Sequence, residues 1–256
     1  MYLADNFIKW SFFTILVVLF GSAFLLIELS LNSFSPIQIA FFRVFFASIF
    51  LLIYALLMGY KFNFIKENFT LLFILGLSGT TIPFFLISWA QTTISSSETG
   101  ILIGFMPLFT IIGSHYFFKY ENLSFNKILG FILGLCGLFI LLMNNNDEVN
   151  IFGNIYAKAA VIISAFFYAV NALLVKKISN VNVIPLSTVV MIFSSLQLLL
   201  MSFTGKEIYY LNEQILISSI IAISILSLLS TAFATVLYYK IIHDYGPNFL
   251  SLVNYP

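Results

Sequence analysis

The chain alternates between long apolar stretches and short polar connectors from one end to the other. The apolar stretches are continuous, and most approach the roughly 20 residues that a helix needs to cross a hydrocarbon core. A membrane-spanning β-barrel would instead show alternating apolar and polar positions. The pattern therefore predicts an all-α protein, a polytopic membrane helix bundle.

Nine candidate spans follow from this pattern. They cover residues 10–29, 36–58, 69–91, 98–118, 127–143, 154–175, 185–203 and 213–239, and a ninth begins near residue 247. The first span is too long for the apolar core of a signal peptide, so we interpret it as a retained helix. The ninth reaches only Pro256, about half the length of a crossing. We therefore expect a complete chain to finish this helix and add a tenth.

Composition narrows the class further. Hydrophobic residues make up 61% of the chain and charged residues 8%, which excludes an ordinary soluble domain. The net charge of +1 does not indicate a nucleic-acid partner. In a membrane protein the distribution of charges between the two sides of the membrane is informative, and their total is not. With Cys136 as the single cysteine, an intramolecular disulfide and a cysteine metal cluster are both excluded.

The distribution of lysines predicts an orientation. If the N-terminus is cytoplasmic, eight lysines fall on the inner side and two on the outer side. The inner set is Lys9, Lys61, Lys66, Lys119, Lys127, Lys176, Lys177 and Lys240, and the outer set is Lys158 and Lys206. The positive-inside rule thus predicts a multi-pass protein of the cell (inner) membrane with a cytoplasmic N-terminus.

Similar landmarks recur along the chain at a nearly constant spacing, which suggests an internal repeat. The pairs are Pro36 with Pro185, Thr80 with Thr231, and Pro107 with Pro256, which lie 149, 151 and 149 residues apart. Because five spans make an odd number of crossings, the second copy would start on the opposite side of the membrane. We therefore predict two inverted units, at residues 10–143 and 151–256, with the second ending inside its fourth helix.

Short motifs in the same order give the chain a family resemblance. They are Phe20-Gly21-Ser22-Ala23-Phe24, Pro36 followed by Arg43, Met106-Pro107-Leu108-Phe109-Thr110, Lys119-Tyr120-Glu121-Asn122-Leu123-Ser124 before Gly130, Gly134 and Gly137, Ser164-Ala165-Phe166-Phe167-Tyr168, and Tyr238-Tyr239 through Asp244-Tyr245-Gly246-Pro247 to Pro256. Taken together, the sequence resembles the EamA-type branch of the drug/metabolite transporter superfamily.

This resemblance implies two inverted five-helix repeats, ten helices when complete, with nine here and the ninth partial. It also implies alternating-access transport of a small organic solute, such as an amino acid, a metabolite or a drug-like compound, through a central cavity between the repeats. Ion coupling is expected in many relatives but not in all, and protons are the candidate coupling ion here.

Polar groups inside hydrocarbon are expensive, so their positions indicate candidate sites. Arg43 lies seven residues into the second span, about 10 Å from its outer end at 1.5 Å per residue, and Glu28 ends the first span. The two could guard the outer mouth, with Arg43 attracting an anionic group of the substrate. Alternatively, Arg43 snorkels or forms a structural ion pair.

Three spans carry polar residues at helical spacing, which places each set on one face. The sets are Ser78, Thr81, Phe85 and Ser88 beside Trp89; Ser164, Tyr168 and Asn171; and Ser227, Thr231, Ala234 and Tyr238. Such faces point into a wet cavity or hydrogen-bond neighbouring helices, and Trp89 could also belong to the interfacial aromatic belt. The candidate substrate pathway is Ser22, Arg43, Ser88, Trp89, Tyr168, Asn171, Thr231 and Tyr238.

Glu98 has two possible roles. Ser95 followed by Glu98 three residues later is a capping-box signature for the start of a helix. If the Glu98 side chain instead turned into the pathway, desolvation would suit it to proton coupling. We therefore name Glu28 and Glu98 as candidate coupling or gating residues.

Other functions have less support in the sequence. His115 and His243 have no partners at metal-ligand spacing, and no phosphate loop, nucleophile elbow or zinc motif occurs, so we expect neither an enzyme nor a cofactor or metal. The face formed by Gly130, Gly134 and Gly137 allows close helix packing, within the bundle or in a homodimer. A lipid flippase of the same superfamily and a non-transporting membrane scaffold remain alternatives.

Overall fold

The computed structural model describes residues 2–117, 129–130, 133–134, 137, 154–178, 180–204 and 215–254. Most of the fifth predicted span, residues 127–143, lies outside the described residues, as do Lys119, Cys136, Lys206 and Pro256. In the described part, seven helices are long and apolar enough to cross a membrane. The predicted class, an all-α membrane bundle, is confirmed.

The described helices follow the predicted spans closely. They are α1 (Tyr2–Leu31), α2 (Pro36–Leu57), α3 (Ile65–Ala90), α4 (Ser96–Phe117), α5 (Ile155–Lys176), α6 (Val183–Thr204), α7 (Ile217–Tyr245) and the short α8 (Pro247–Ser251). The largest differences are at the start of α1 and the end of α7, which extend beyond the predicted spans. Both extensions contain charged residues, so a hydropathy window misses them although the helix continues.

Local sequence signals set several helix ends. Ser35 precedes α2 and its backbone N–H donates to Gln38 Oε1 at 2.9 Å, while Pro36 occupies the first helical position, where its missing N–H costs nothing. Gly246 adopts φ 88° between α7 and α8, a conformation that favours glycine. Pro247 then starts α8 in a new direction.

Three of the long helices contain an irregular turn. In α3 a π-helical turn spans Leu77–Thr81, and in α7 another spans Leu228–Phe233, starting 151 residues later. The regular α-helical part of α4 stops at Ile103 and resumes at Met106. Pro83 and Pro107 follow the irregularities in α3 and α4. Because proline has no backbone N–H, it cannot bond to the preceding turn, and an irregular turn is expected there. The π-turn of α7 contains no proline.

The helices pack as one bundle. Helix α2 lies along α6 and against the π-turn of α7, while α5 packs on α3 and α4, and α1 on α7. Large apolar side chains such as Phe46 and Leu57 of α2 and Leu200 and Phe203 of α6 are exposed on the outside. Such a surface is expected where the solvent is lipid.

Connections sort to two ends of the bundle. At one end, which we call the Ser33 end, Ser33 Oγ bonds Ser219 Oγ at 3.0 Å, and Asn154 Nδ2 donates to the Thr93 carbonyl at 2.9 Å. At the other, the Lys176 end, Lys176 Nζ donates to the His243 carbonyl at 3.0 Å. Among the described lysines, Lys158 lies at the Ser33 end, whereas Lys9, Lys61, Lys66, Lys176, Lys177 and Lys240 lie at the Lys176 end.

Two glycines of the predicted packing face, Gly130 and Gly137, have no close neighbour in the described part of the chain. A Cβ added at Gly130 or Gly137 would meet no heavy atom within 4 Å. Neither glycine is therefore required by a close approach of another described helix.

Candidate functional site

A cavity lies at the centre of the bundle. It offers about 70 Å³ to the centres of water-sized molecules, several times the roughly 10–15 Å³ that one buried water needs. Helices α1 to α5, α7 and the segment after α8 contribute to its wall. The lining residues are Phe20, Ala23, Phe24, Ile27, Arg43, Gly79, Thr80, Phe84, Ile87, Ile103, Met106, Tyr168, Asn171, Ser230, Thr235, Tyr238, Tyr239 and Asn254.

Arg43 supplies the cavity with its cationic group. Its residue is 4% exposed, its Nε donates to Thr231 Oγ1 at 3.1 Å, and its Cζ lies 3.6 Å from the ring centroid of Phe84. Stacking on an aromatic face stabilises a cation without removing its charge. Arg43 therefore crosses from α2 to the π-turn of α7 and keeps its guanidinium in the cavity wall.

The ion pair considered for Arg43 and Glu28 is not formed. Glu28 is exposed, and its Oε2 accepts from the backbone N–H of Ser96 at 3.3 Å, where the first turn of α4 attracts a carboxylate. In the part of the chain that the structure describes, the salt bridges are Lys158–Glu98 and Lys240–Asp244. Arg43 thus has no carboxylate partner within that part.

The π-turn of α7 explains why Thr231 can hold Arg43. A π-turn inserts one residue into the helical ladder and displaces its backbone hydrogen bonds. Thr231 Oγ1 donates to the carbonyl of Leu226 at 2.7 Å, five residues earlier, and its lone pair accepts from Arg43. The same hydroxyl thus satisfies the helix backbone and orients the arginine.

A corresponding contact joins the two halves of the chain a second time, with the threonine now in the first half. The hydroxyls of Thr80 in α3 and Ser194 in α6 are hydrogen-bonded to each other, and Thr80 Oγ1 donates to the Gly76 carbonyl at 2.8 Å. Thr231 lies 151 residues after Thr80, and Ser194 lies 151 residues after Arg43. The two pairs therefore occupy corresponding positions, with a neutral serine where the first half has arginine.

Asn171 joins α5 to the π-turn of α3. Its Nδ2 donates to the carbonyl of Leu75 at 2.9 Å and to Ser78 Oγ at 3.3 Å. A Cβ on Gly79 would lie 2.5 Å from that Nδ2 atom. This distance is too short for a real contact, so a side chain at position 79 would displace Asn171. The contact therefore needs glycine at position 79.

Aromatic side chains form much of the remaining wall. Tyr238 Oη donates to the backbone carbonyl of Tyr168 at 3.3 Å, and the ring centroids of Phe20 and Tyr238 lie 6.2 Å apart. Tyr239 is 1% exposed beside them. Apart from Arg43, the lining is thus largely apolar and aromatic.

Ser230 is a polar lining residue that the sequence did not single out. It is 2% exposed, and its Oγ has no hydrogen-bond partner among the described residues. It immediately precedes Thr231, so it lies beside the anchor of Arg43. Sequence periodicity gave no reason to choose it, because a regular helix would place it on a different face from Thr231.

Four of the eight predicted pathway residues line the cavity: Arg43, Tyr168, Asn171 and Tyr238. Thr231 acts on the cavity through Arg43. Ser22 donates to the Leu19 carbonyl at 3.1 Å, Ser88 is fully buried without a hydroxyl partner in the described part, and Trp89 is 39% exposed near the end of α3. These three lie away from the lining, and Trp89 has the placement of an interfacial aromatic residue.

The predicted polar face of α3 is displaced by one residue. None of Ser78, Thr81, Phe85 and Ser88 lines the cavity, whereas Gly79, Thr80, Phe84 and Ile87 do. Thr81 Oγ1 donates to Gln197 Oε1 of α6 at 2.6 Å instead. A prediction that assumes 3.6 residues per turn cannot anticipate the π-turn at Leu77–Thr81, which contains some of these residues and precedes the others.

Glu98 lies at the Ser33 end. Its backbone N–H donates to Ser95 Oγ at 3.1 Å, which confirms the predicted serine cap of α4. Its carboxylate lies 3.0 Å from Lys158 Nζ of α5. Glu28 and Glu98 therefore connect α1, α4 and α5 at this end and do not line the cavity.

The described residues contain no group of three or more histidine, cysteine, aspartate or glutamate side chains that could hold a metal ion. His115 is on α4 and His243 on α7. Nothing in the described cavity wall provides a ligand set for a metal.

The described part of the chain is a membrane protein in which membrane-length helices, two of them with π-turns, surround a cavity with a buried cation, and such features are common in membrane transporters. Residues 8–143 match the EamA-like transporter family. Since this match covers more than half of the chain, the chain belongs to that family, and the resemblance drawn from its motifs is confirmed.

Two curated relatives and one solved structure are similar to the chain. An uncharacterized transporter of Archaeoglobus fulgidus is 27% identical over 191 residues, covering 74% of this chain and 66% of the relative. The uncharacterized transporter YdfC of Bacillus subtilis is 28% identical over 134 residues, covering 52% and 43%. A protein of known crystal structure superposes with a TM-score of 0.73 at 13% identity, over 96% of this chain and 83% of that one. This last likeness shows the fold, and the chain spans 66% and 43% of its two curated relatives.

Proposed function

We propose that the protein is a secondary transporter that moves a small organic solute, such as an amino acid, a metabolite or a drug-like compound, by alternating access through the central cavity. The observation that carries this proposal is the cavity wall, which combines residues from six membrane-length helices with a buried arginine and a buried hydroxyl, that of Ser230, without a partner among the described residues. A merely structural bundle core would be apolar and filled.

The corresponding contacts support a mechanism based on two inverted repeats, at residues 10–143 and 151–256. Both π-turns lie at the cavity, and each is held through its threonine by a helix from the other half. Irregular backbone beside a central site is typical of transporters in which one repeat moves against the other. We propose that α3 and α7 bend at these turns during transport.

The lysine distribution supports an orientation in which the N-terminus and the Lys176 end lie on the cytoplasmic side of the cell membrane. The Ser33 end would then face outward. Glu28 and Glu98 would act there as gating residues, since their carboxylates connect α1 and α5 to the start of α4. Proton coupling and a homodimer remain part of the proposal, and the Glu98→Gln variant tests proton coupling.

Transport is tested by filling the cavity. The full chain is reconstituted in vesicles and the uptake of a radiolabelled panel of amino acids and metabolites is measured with and without a proton gradient. Ala23 is 7% exposed and lines the cavity, whereas Gly21 of the same helix is exposed and a Cβ added there would meet no heavy atom within 4 Å. Ala23→Phe should abolish uptake, and Gly21→Phe should leave it unchanged.

Two outcomes would contradict transport. If a correctly inserted wild-type protein moves no member of the panel, the scaffold and flippase alternatives gain support, and lipid scrambling becomes the next measurement. If Ala23→Phe transports as well as the wild type, the cavity is not the pathway.

A further inference from the structure

We propose that the cavity binds an organic anion, with a carboxylate against Arg43 and an apolar or aromatic body against the aromatic side chains of the lining. This proposal rests on the proposed function, since it names the class of solute for the same cavity. It excludes organic cations as preferred ligands and disfavours zwitterions.

The first step is that the charge of Arg43 is not matched within the described part of the protein. A guanidinium has five N–H donors, and the structure gives it one acceptor, the Thr231 hydroxyl. The described part places no carboxylate within 4.0 Å of it. A buried charge without a counter-charge is strongly unfavourable, so a ligand anion would satisfy a requirement that the protein leaves open.

The second step is the geometry of the donors that remain. Because Nε is bonded to Thr231 and the plane of the guanidinium lies over Phe84, the two terminal nitrogens are the donors left for a ligand. Terminal guanidinium nitrogens match the two oxygens of a carboxylate. Thr231 and Phe84 thus hold the group in one orientation before a ligand arrives, and Arg43 lines the cavity that the ligand would enter.

The third step is an independent polar group beside this site. Ser230 is 2% exposed, lines the cavity, and has no partner for its hydroxyl among the described residues. It adjoins Thr231 in the chain, so it belongs to the same π-turn that anchors Arg43. A buried hydroxyl requires a partner, and it can donate to an oxygen of the same ligand.

The fourth step is the composition of the rest of the wall. The lining includes Phe20, Phe24, Tyr168 and Tyr238 but no aspartate or glutamate among the described residues. A ligand ammonium would therefore lack a counter-charge and would be repelled by Arg43. An apolar or aromatic body attached to a carboxylate suits both parts of the cavity.

The experiment measures binding to the purified full chain by titration calorimetry with four ligands that share one phenyl ring. The series is 3-phenylpropanoate, 3-phenylpropanamide, 2-phenylethylamine and phenylalanine, which differ in charge at the same end. We expect the carboxylate to bind at least tenfold more tightly than the amide and the amine. Equal binding of acid and amine, tighter binding of the amine, or binding of none of the four would overturn the proposal.

Matched variants assign the effect to Arg43. Arg43→Gln and Lys240→Gln each remove one positive charge, but Lys240 lies outside the cavity and pairs with Asp244. The preference for the acid should fall to below twofold in Arg43→Gln and persist in Lys240→Gln. If Arg43→Gln does not fold, Arg43→Lys keeps the charge but not the paired donors, and we expect acid affinity to drop severalfold while the preference over the amine remains.

Two further measurements distinguish this proposal from a site for free anions and from the proposed transport. If inorganic phosphate competes as strongly as 3-phenylpropanoate, the site binds free anions. That result would contradict the proposal that the ligand has an organic body. A protein that binds the acid but moves nothing in vesicles retains this site and loses the proposed transport. A protein that transports amines without binding the acid retains transport and loses this site.

Discussion

The Nε atom of Arg43 and the hydroxyl of Thr231 lie 3.1 Å apart, joining the second helix of the chain to the π-turn of the seventh. The contact places a charge from the first half on a backbone irregularity of the second half. Thr80 and Ser194 form the corresponding contact with two neutral hydroxyls. Comparison of the two contacts leads to the first prediction.

Thr231→Val should lower stability more than Thr80→Val. The first substitution leaves a buried arginine without its acceptor, a loss of about 1.5–3 kcal/mol for a bond to a charged group, against about 0.5–1.5 kcal/mol for a neutral pair. Ser194 also keeps another acceptor, the Val190 carbonyl at 2.8 Å. The measurement is the thermal unfolding midpoint in detergent. Equal losses in the two variants would contradict the special role of Thr231, and Thr231→Ser, which keeps the hydroxyl, is the control.

Gly79→Ala should destabilise the protein and slow uptake. The added Cβ would lie 2.5 Å from Asn171 Nδ2, and such overpacking costs about 1–3 kcal/mol. Gly21→Ala is the matched control, because the same change there meets open space and gains helix propensity of up to about 1 kcal/mol. A stable Gly79→Ala protein with normal uptake would show that α3 and α5 can separate freely at this point.

The carboxylate of Glu98 should behave as part of an ion pair. Because Glu98 and Lys158 are partly exposed, we expect Glu98→Gln and Lys158→Gln each to reduce stability by about 0.2–1 kcal/mol. Both should alter uptake to the same extent, since either change breaks the connection between α4 and α5. If gradient-driven accumulation disappears in Glu98→Gln and persists in Lys158→Gln, Glu98 is a proton-coupling residue and not a gating one.

The orientation can be tested with single cysteines in a Cys136→Ser background. Thr92 is exposed at the Ser33 end and Lys61 is exposed at the Lys176 end. In intact cells, a membrane-impermeant maleimide should label Thr92→Cys and leave Lys61→Cys unlabelled until the membrane is opened. The reverse labelling pattern would invert the proposed orientation.

The sequence predicted the helices far better than the lining of the cavity. Hydropathy and length determine where a helix must cross lipid, so α2 could be placed to within one residue. Arg43, Tyr168, Asn171 and Tyr238 were found because polar groups at this depth are rare and lie on regular helical segments. Ser230 and Thr80 were missed for a physical reason, which is that they lie within π-turns.

The interrupted helices show where sequence reasoning loses precision. Pro83 and Pro107 lie just after the irregular turns of α3 and α4, but no proline marks the π-turn of α7. The corresponding position of α3, 151 residues earlier, is the clue that could have located it. Likewise, Glu28 and Arg43 have opposite charges and neighbouring depths, yet Glu28 turns to the first backbone N–H of α4.

The unmatched charge of Arg43 also determines how a membrane potential would act on the protein. A potential does work on net charge, about 2.3 kcal/mol per elementary charge per 100 mV across the whole membrane. If the cavity binds an organic anion as proposed, its described wall carries the charge of Arg43 when empty and is neutral with a bound carboxylate. The membrane potential would therefore act on the reorientation of the empty transporter and leave that of the loaded transporter nearly unaffected. In cells with a membrane potential, the turnover rate would change because this empty step is faster or slower.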